Sequence, residues 1–267
     1  MPRYEEFLKV AVDVSFKAGE LIKEGFYKNL EKNLYYTLKG FADPVTEYDK
    51  KSEKIIIDLL SSKFPNSSFI TEESGEIGDK NGEIKWIIDP LDGTVNFIHS
   101  IPYIAVSIGL EIDGDIVAGV VYNPIIDELF TAIKGAGSFM NNKKIKVSNI
   151  STPSDSLIVT GFPYRREGRI DELMKPLRVF IKDYQGFRRL GAASVDMCYV
   201  ARGSFEAFYE ENLKPWDTAA GKVIVEESGG KITDYYGNQF TIYSKSIVAS
   251  NGLVHNYIVD VLKEVQL

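Results

Sequence analysis

Two aspartates three residues apart stand in the stretch WIIDPLDGTVNF, residues 86–97. The apolar residues before Asp89 predict a short buried strand, and Pro90 and Gly93 predict that it stops in a tight turn. Asp89 and Asp92 would then leave the strand end together. A helix that begins after Gly93 would offer free N–H groups to an anion. Two oxygen ligands beside an anion-binding turn are what Mg²⁺-dependent phosphate chemistry requires.

Further acids, Glu72 and Asp217, also fall at predicted element ends, where a site can be built. Two metal ions bridged by one carboxylate can lower the pKa of a bound water and stabilise the leaving oxygen. Asp89 is the candidate bridge. Chemistry by serine or cysteine is disfavoured, because the two histidines, His99 and His255, do not belong to a nucleophile motif such as GxSxG.

Each acid also has a structural interpretation. Asp49 follows Thr46 by three residues, which is close to the spacing and chemistry of a helix capping box. Asp217 could cap a following helix, and Glu72 could belong to a solvated turn. The sequence DPLDGT is itself rich in turn residues. On spacing alone these alternatives stay open.

The composition limits the class of function. The 267 residues, 44% of them hydrophobic, are enough for one large domain or two of ordinary size. A formal net charge of −7 argues against direct nucleic-acid binding, so an anionic substrate would need local positive charge, which a bound divalent cation can supply. The single cysteine excludes an internal disulfide and a thiol zinc cluster. Charges interrupt the N-terminal stretch, so we expect no signal peptide, no membrane association and a cytoplasmic location.

The predicted elements change in pattern along the chain. The first half reads as helices and a meander of antiparallel hairpins, with residues 28–44 forming a mobile loop that carries Lys39. The second half alternates strand and helix, so the class is α+β first and more α/β-like later. We expect a domain over 1–148 with most of the metal ligands, and a domain over 149–267 with Asp217 and the substrate pocket. The predicted strands of the second half are 157–161, 204–210, 231–235 and 246–250, and its helices are 170–183, 192–202, 218–228 and 253–264.

Four motifs together resemble the inositol monophosphatase family of Mg²⁺-dependent, lithium-sensitive phosphatases. The motifs are DPVTEYD (43–49), ITEES (70–74), WIIDPLDGTVNF (86–97) and PWDTAAGKVIVEESGG (215–230). They occur in the family's order and spacing, and the resemblance covers nearly the whole chain. It implies a layered αβαβα sandwich of the inositol monophosphatase and sugar phosphatase type, and a homodimer.

The resemblance also implies which residues hold two or three Mg²⁺ ions. One ion would lie between Glu72 and Asp89, a second between Asp89 and Asp217, and a third, weaker ion near Glu72. The implied metal ligands are Glu72, Asp89, the backbone carbonyl of Leu91, Asp92 and Asp217.

For catalysis, the resemblance implies a metal-activated water, oriented by Thr94 through its hydrogen bond to Asp49. Lys39 would screen the site, and Arg188 would pair with Glu210 and orient it toward a substrate hydroxyl. The implied catalytic residues are Thr94, Asp49, Glu72 and Lys39. The implied substrate-binding residues are Asp92, Gly93, Thr94, Gly191, Ala192, Ala193, Arg188, Glu210 and Asp217.

The sequence therefore predicts a phosphomonoesterase that hydrolyses inositol-1-phosphate or a similar polyol or sugar phosphate. Fructose-1,6-bisphosphatase activity, alone or in addition, is an alternative, and Arg165, Arg166 and Lys214 are candidates to meet a second phosphate. A 3′-nucleotide bisphosphatase is less favoured because the sequence shows no signature of a nucleobase pocket. A regulatory protein-binding role in transcription or ribosome assembly is the alternative from another class.

Overall fold

We describe a computed structural model of the chain that covers residues 2–31, 35–40, 43–79, 82–164 and 166–266. The helices are α1 (Pro2–Glu31), α2 (Glu47–Lys63), α3 (Thr94–Ile98), α4 (Ile170–Asp183), α5 (Ala193–Ala201), α6 (Pro215–Glu227) and α7 (His255–Gln266), with a 3₁₀ turn at Pro153–Asp155. The strands are β1 (Tyr36–Gly40), β2 (Asp43–Thr46), β3 (Ser68–Thr71), β4 (Gly75–Ile77), β5 (Ile84–Asp92), β6 (Ala105–Ile112), β7 (Asp115–Asn123), β8 (Glu128–Ile133), β9 (Gly137–Met140), β10 (Lys143–Lys144), β11 (Leu157–Thr160), β12 (Gly186–Arg188), β13 (Ala207–Glu211), β14 (Lys231–Thr233) and β15 (Ser246–Ser250).

The strands form a hairpin of β1 and β2, an eight-stranded sheet and a five-stranded sheet. The larger sheet has the order β10-β9-β8-β7-β6-β5-β3-β4, and its strands from β6 to β10 form the predicted antiparallel meander. The smaller sheet has the order β12-β11-β13-β15-β14, and β11 pairs in parallel with both of its neighbours. The predicted change along the chain, from an α+β pattern to alternating strands and helices, is confirmed.

Three apolar cores join these sheets into layers. Helices α1 and α2 cover one face of the eight-stranded sheet, where Ile22, Ile56 and Trp86 share a core. Helices α5 and α6 fill the space between the two sheets, and α4 and α7 cover the far face of the smaller sheet. The order of layers is αβαβα, as the resemblance implied. The division of the chain after residue 148 stays a prediction.

Close contact between α6 and the larger sheet depends on small residues. A Cβ on Gly109 would lie 2.7 Å from the Cβ of Ala219, and a Cβ on Gly119 would lie 2.7 Å from the backbone oxygen of Ala220. Real Cβ contacts are not this short, so larger side chains on β6 or β7 would push α6 away. Because α6 carries Asp217 near its first residue, this approach also decides where that carboxylate lies.

Two sequence predictions for the first half need correction. Lys39 was expected on a mobile loop, but it lies on β1, which pairs with β2 to form a hairpin. Strand β5 was expected to stop before Pro90, but it continues to Asp92. Pro90 is accommodated because the pairing of β5 with β6 is irregular between Asp89 and Asp92, and a proline is tolerated where ladder hydrogen bonds are already interrupted. In the described ranges no helix is both long and apolar enough to span a bilayer.

Candidate active site

An irregularity in β5 places both aspartates of the DPLD sequence at one pocket. Asp89 pairs with Ser107 and Asp92 pairs with Ala105, so three steps along β5 oppose two steps along β6. In a regular strand, residues three apart point to opposite faces, and the extra residue of a bulge removes that difference. Both carboxylates line the same pocket of about 300 Å³. Asp89 is 2% exposed and Asp92 8% exposed.

Other elements bring two further acids to this pocket. Glu72 follows β3 directly, and β3 runs parallel to β5, so the two strands end at the same edge of the sheet. Asp217 lies in the first turn of α6 and accepts a hydrogen bond of 2.6 Å from the backbone N–H of Lys214. The structure thus brings together Glu72, Asp89, Asp92 and Asp217, which we call the carboxylate site. Leu91, the proposed backbone ligand, lines the same pocket.

The carboxylate site concentrates negative charge on two buried aspartates, Asp89 and Asp92, and two half-buried acids, Glu72 and Asp217. Burial, followed by the charges of Glu72, Asp92 and Asp217, raises the pKa of Asp89 well above its ordinary value. Burial also raises the pKa of Asp217 well above its usual range, the pKa of Asp92 to about 6 and that of Glu72 to about 7. Mutually repelling buried carboxylates are stabilised in their charged form by a cation held between them.

Hard oxygen donors of this kind are the ligands that Mg²⁺ prefers. As the described residues stand, no group of three or more His, Cys, Asp or Glu side chains is arranged to hold one ion. The fit to a divalent cation therefore rests on the donor chemistry and on the unbalanced charge. Carboxylates that repel one another would need to draw closer around an ion.

The contact between Asp49 and Thr94 is present. Asp49 completes the capping box of α2, because its carboxylate accepts hydrogen bonds from the N–H of Thr46 at 2.8 Å and from its hydroxyl at 2.5 Å. Its other oxygen accepts a hydrogen bond of 2.9 Å from Oγ1 of Thr94. Asp49 thus caps α2 and also contacts Thr94, which lines the pocket; its catalytic role stays a prediction. Burial raises its pKa, although the hydrogen bonds from Thr46 and Thr94 oppose that shift.

Thr94 begins helix α3, as the glycine before it predicted. Gly93 precedes the helix with a φ of 90°, in the left-handed region that glycine adopts without strain. A Cβ at this position would also lie 2.9 Å from the carbonyl oxygen of Tyr103. Both reasons require glycine at the point where the chain turns from β5 into the pocket.

Lys39 reaches the carboxylate site from β1. Its ammonium pairs with Glu72 at 2.9 Å and also with Glu73. Burial acts to lower the pKa of Lys39, but the charges of Glu72 and Glu73 outweigh it, so the pKa lies above its ordinary value. The nearest positive charge to Glu72 is therefore supplied by the chain itself.

The substrate end of the pocket contains Glu210 but not the expected arginine. Glu210 lines the pocket and is packed against Gly161, where a Cβ would lie 2.1 Å from Oε2 of Glu210. Arg188, expected to pair with Glu210, is exposed, and its Nη1 donates to the carbonyl oxygen of Phe187. Arg189 lines the pocket instead, and its charge acts on Glu210. Strand β12 ends at Arg188, so the arginine that lines the pocket is the first residue after the strand.

Some of the other expected pocket residues line the pocket and some do not. Gly191, Ala192 and Ala193 line the pocket, as does Lys214. Arg166 is not among the residues that line it, and Arg165 lies outside the described residues. Burial, followed by the nearby charge of Asp196, raises the pKa of Glu210 to about 8, while Arg189 opposes that shift.

Sequence reasoning missed two residues that support the site. Ser194 donates two hydrogen bonds to Oδ2 of Asp92, from its N–H at 2.8 Å and from its hydroxyl at 2.5 Å. Asp196, 1% exposed, accepts a hydrogen bond of 2.7 Å from the hydroxyl of Tyr103, and burial raises its pKa well above the usual range. The AASVD sequence at the start of a predicted helix was a signal for first-turn polar groups, but not for the partner 102 residues away.

Comparison with known proteins places this site in context. The model of the "Inositol monophosphatase family" matches residues 3–267. An inositol-1-monophosphatase of Mesorhizobium japonicum is 39% identical over 257 residues, which cover 96% of each chain. The Nus factor SuhB of Pasteurella multocida is 39% identical over 243 residues, covering 91% of this chain and 90% of that one. The crystal structure of extragenic suppressor protein suhB from Bartonella henselae superposes with a TM-score of 0.92 at 41% identity, covering 97% of this chain and 99% of that one.

Proposed function

The chain belongs to the inositol monophosphatase family and is a phosphoric monoester hydrolase, and on that basis we propose that it hydrolyses inositol-1-phosphate or a similar polyol phosphate in a Mg²⁺-dependent reaction. The observation that carries the proposal is the carboxylate site, four acids from three separate elements at one pocket. Mg²⁺ bound by Glu72, Asp89, Asp92, Asp217 and the carbonyl of Leu91 would supply charge stabilisation for the phosphate and lower the pKa of the attacking water.

The contribution of Thr94 follows from its hydrogen bonds. Its hydroxyl has one proton, which it can donate to Asp49 at 2.9 Å or to the carbonyl oxygen of Leu91 at 3.1 Å. The carboxylate is the stronger acceptor, so the lone pairs of Oγ1 are left to accept a hydrogen bond from a water. Asp49, whose pKa is raised by burial, can then take up the proton that Thr94 passes on. Asp49 and Thr94 thus orient the nucleophile and receive its proton.

The substrate end favours a group rich in hydroxyls. With a pKa of about 8, Glu210 is largely protonated at pH 7 and can both donate to and accept from a ring hydroxyl. Arg189 supplies further donors from the same wall of the pocket. A pocket of about 300 Å³ is at the small end of the range for small-molecule sites, which suits one sugar-sized ring.

Phosphate release from a panel of substrates tests the proposal. We expect release from inositol-1-phosphate only when Mg²⁺ is added, and inhibition by Li⁺. Fructose-1,6-bisphosphate tests the alternative substrate, and adenosine 3′,5′-bisphosphate tests the less favoured one. Absence of phosphate release from every polyol and sugar phosphate in the presence of Mg²⁺ would refute the proposal.

Relatives named Nus factor SuhB favour a second candidate function, a regulatory protein-binding role. The variant Asp89→Asn separates the two candidates, because it should remove phosphate release and leave the outer surface unchanged. Retention of a protein partner by this variant would support the regulatory role. Loss of both phosphate release and partner binding would argue against a regulatory role that is separate from catalysis. We further propose a homodimer in the cytoplasm, for which light scattering and fractionation are the measurements.

A further inference from the structure

Strand β13 ends in two consecutive glutamates that have different surroundings. Both glutamates line the pocket, and the side chain of Glu211, 12% exposed, also accepts both arms of the Arg169 guanidinium. Nη1 lies 2.6 Å from Oε1 of Glu211, and Nη2 lies 3.0 Å from Oε2. A planar guanidinium that meets a carboxylate through two parallel hydrogen bonds fixes its orientation as well as its position.

Arg169 binds a second carboxylate at the same time. Its Nε lies 3.0 Å from Oε2 of Glu172, and its Nη2 lies 2.8 Å from Oε1. Glu172 belongs to the first turn of α4, and Arg169 stands directly before that helix. The guanidinium therefore ties the start of α4 to the end of β13.

This tie occurs where β13 loses a neighbouring strand. The pairing of β11 with β13 ends at Thr160 and Tyr209, whereas β15 continues to pair with Glu210 and Glu211. After Thr160 the chain leaves the sheet, and Phe162 lines the pocket. Beyond the end of the pairing with β11, the side-chain contact between Arg169 and Glu211 attaches the end of β13 to the start of α4.

We propose that Arg169 is a positioning residue that, by holding Glu211, fixes the orientation in which Glu210 meets a substrate hydroxyl. The inference rests on the proposed function, because it assigns Glu210 to the polyol part of the substrate. Loss of Arg169 leaves the largely buried carboxylate of Glu211 without its cationic partner and releases the strand end. The metal ligands are attached to other elements, so the phosphate end of the pocket stays in place.

Steady-state kinetics with two substrates test the inference. For Arg169→Ala we expect KM for inositol-1-phosphate to rise about tenfold, with kcat within about twofold of the wild type. KM for p-nitrophenyl phosphate should stay within about twofold, because that substrate has no ring hydroxyl for Glu210. Arg169→Lys keeps the charge but not the two parallel hydrogen bonds, so it should restore KM only in part. The matched control is Arg178→Ala, which removes an exposed arginine from α4.

A separate experiment tests whether Arg169 acts on Glu210 through Glu211. Glu211→Gln should reproduce the rise in KM, and the double variant Arg169→Ala/Glu211→Gln should be no worse than either single variant. Additive effects, or equal changes for both substrates, would overturn the inference, as would no change for either. If Arg169→Ala fails to fold, KM for the two substrates is compared in Arg169→Lys and Glu211→Gln instead.

Failure of the proposed function can be told apart from failure of this inference. If the wild type releases no phosphate from either substrate, the proposed function fails, and binding of inositol-1-phosphate is then measured by calorimetry. Binding about tenfold weaker to Arg169→Ala than to the wild type would support the positioning role. Equal binding to both proteins, or no binding to the wild type, would overturn it.

Discussion

Two clusters of buried or half-buried polar side chains in this molecule differ in whether their own hydrogen bonds satisfy them. One is the carboxylate site, Glu72, Asp89, Asp92 and Asp217. The other, which we call the His255 cluster, consists of Thr233, Ser250 and His255, which are 5%, 0% and 1% exposed. Both clusters lie at the ends of strands and helices, so the difference between them lies in their chemistry.

In the His255 cluster each donor has an acceptor. Oγ1 of Thr233 donates to the backbone oxygen of Asp234 at 2.8 Å, so it can only accept from Nε2 of His255, 2.9 Å away. Nδ1 is then unprotonated and accepts from the hydroxyl of Ser250 at 2.7 Å, while that oxygen accepts from the N–H of Gly252 at 3.1 Å. One tautomer of a neutral histidine satisfies the whole set.

The carboxylate site contains only acceptors, and protein donors engage them in part. Asp89 accepts from the N–H of Leu91 at 3.0 Å, and Asp92 and Asp217 accept from Ser194 and Lys214. Within the described ranges, an ion pair to this site is found only at Glu72, with Lys39. A polar cluster whose donors and acceptors all pair with one another stabilises the fold. A cluster of carboxylates with too few positive charges around it indicates a site for a cationic ligand.

The largest test of this contrast is Asp89→Asn. We expect kcat/KM for phosphate release to fall by about a thousandfold, because the central carboxylate of the site is lost. Without divalent cations, the melting temperature should stay the same or rise, because one of several repelling charges is removed. The measurements are phosphate release with Mg²⁺ and thermal unfolding in a chelator. A clear drop in melting temperature in the chelator would show that Asp89 serves the fold as the His255 cluster does.

A smaller loss is expected for Thr94→Ala. This change removes one hydrogen bond to Asp49 and leaves the carboxylates in place, so kcat should fall by about a hundredfold with little change in KM. Thr94→Ser keeps the hydroxyl and is the matched control, which should retain most of the activity. Equal losses for Thr94→Ala and Asp89→Asn would contradict the central position given to Asp89.

The His255 cluster should make stability depend on pH in a defined direction. Burial lowers the pKa of His255 to about 4, below its unfolded value of about 6.5. The unfolded chain therefore binds the proton more tightly, so this contribution is present above pH 6.5 and is lost as the pH falls toward 4. We expect a loss of about 2 kcal/mol by pH 5.

Urea unfolding at several pH values measures that loss as a difference between variants. His255→Asn should lack this part of the acid dependence, although it is less stable at neutral pH. His99→Asn, which changes the other histidine, an exposed one, should keep the full dependence. The same acid slope in all three proteins would place the titrating group elsewhere.

Patterns of residue type predicted the local parts of the site well. The capping box of α2, the helix after Gly93 and the strand before Glu72 each follow from a few neighbouring residues, and the structure contains all three. Helix α4 was predicted with its observed bounds because its apolar face repeats with helical period. The prediction that Asp217 lies beside the DPLD sequence came from the family motifs, because no local pattern indicates that these distant residues meet.

What could not be predicted depends on register and on tertiary pairing. The bulge that turns Asp89 and Asp92 to one side is a property of β5 against β6, and Pro90 alone indicated a stop. The choice of Arg189 over Arg188 depends on the path of the chain where β12 ends, because the two residues are identical in type. The link between Arg169 and Glu211 joins residues 42 apart in sequence, and nothing in either local sequence indicates it.

Glu210 is expected to give the smallest change in activity, and the pH dependence of its contribution to stability runs opposite to that of His255. Its pKa of about 8 lies above its unfolded value of about 4.3, so its contribution to stability is present below pH 4.3 and is lost as the pH rises through 8. Glu210→Gln should therefore lose less stability than the wild type between pH 5 and pH 8.5 in a chelator, and Glu167→Gln, at an exposed position, should follow the wild type. With Mg²⁺, KM for inositol-1-phosphate should rise about tenfold in Glu210→Gln. If stability changed with pH as in the wild type and KM were unaltered, Glu210 would belong with the residues that serve the fold.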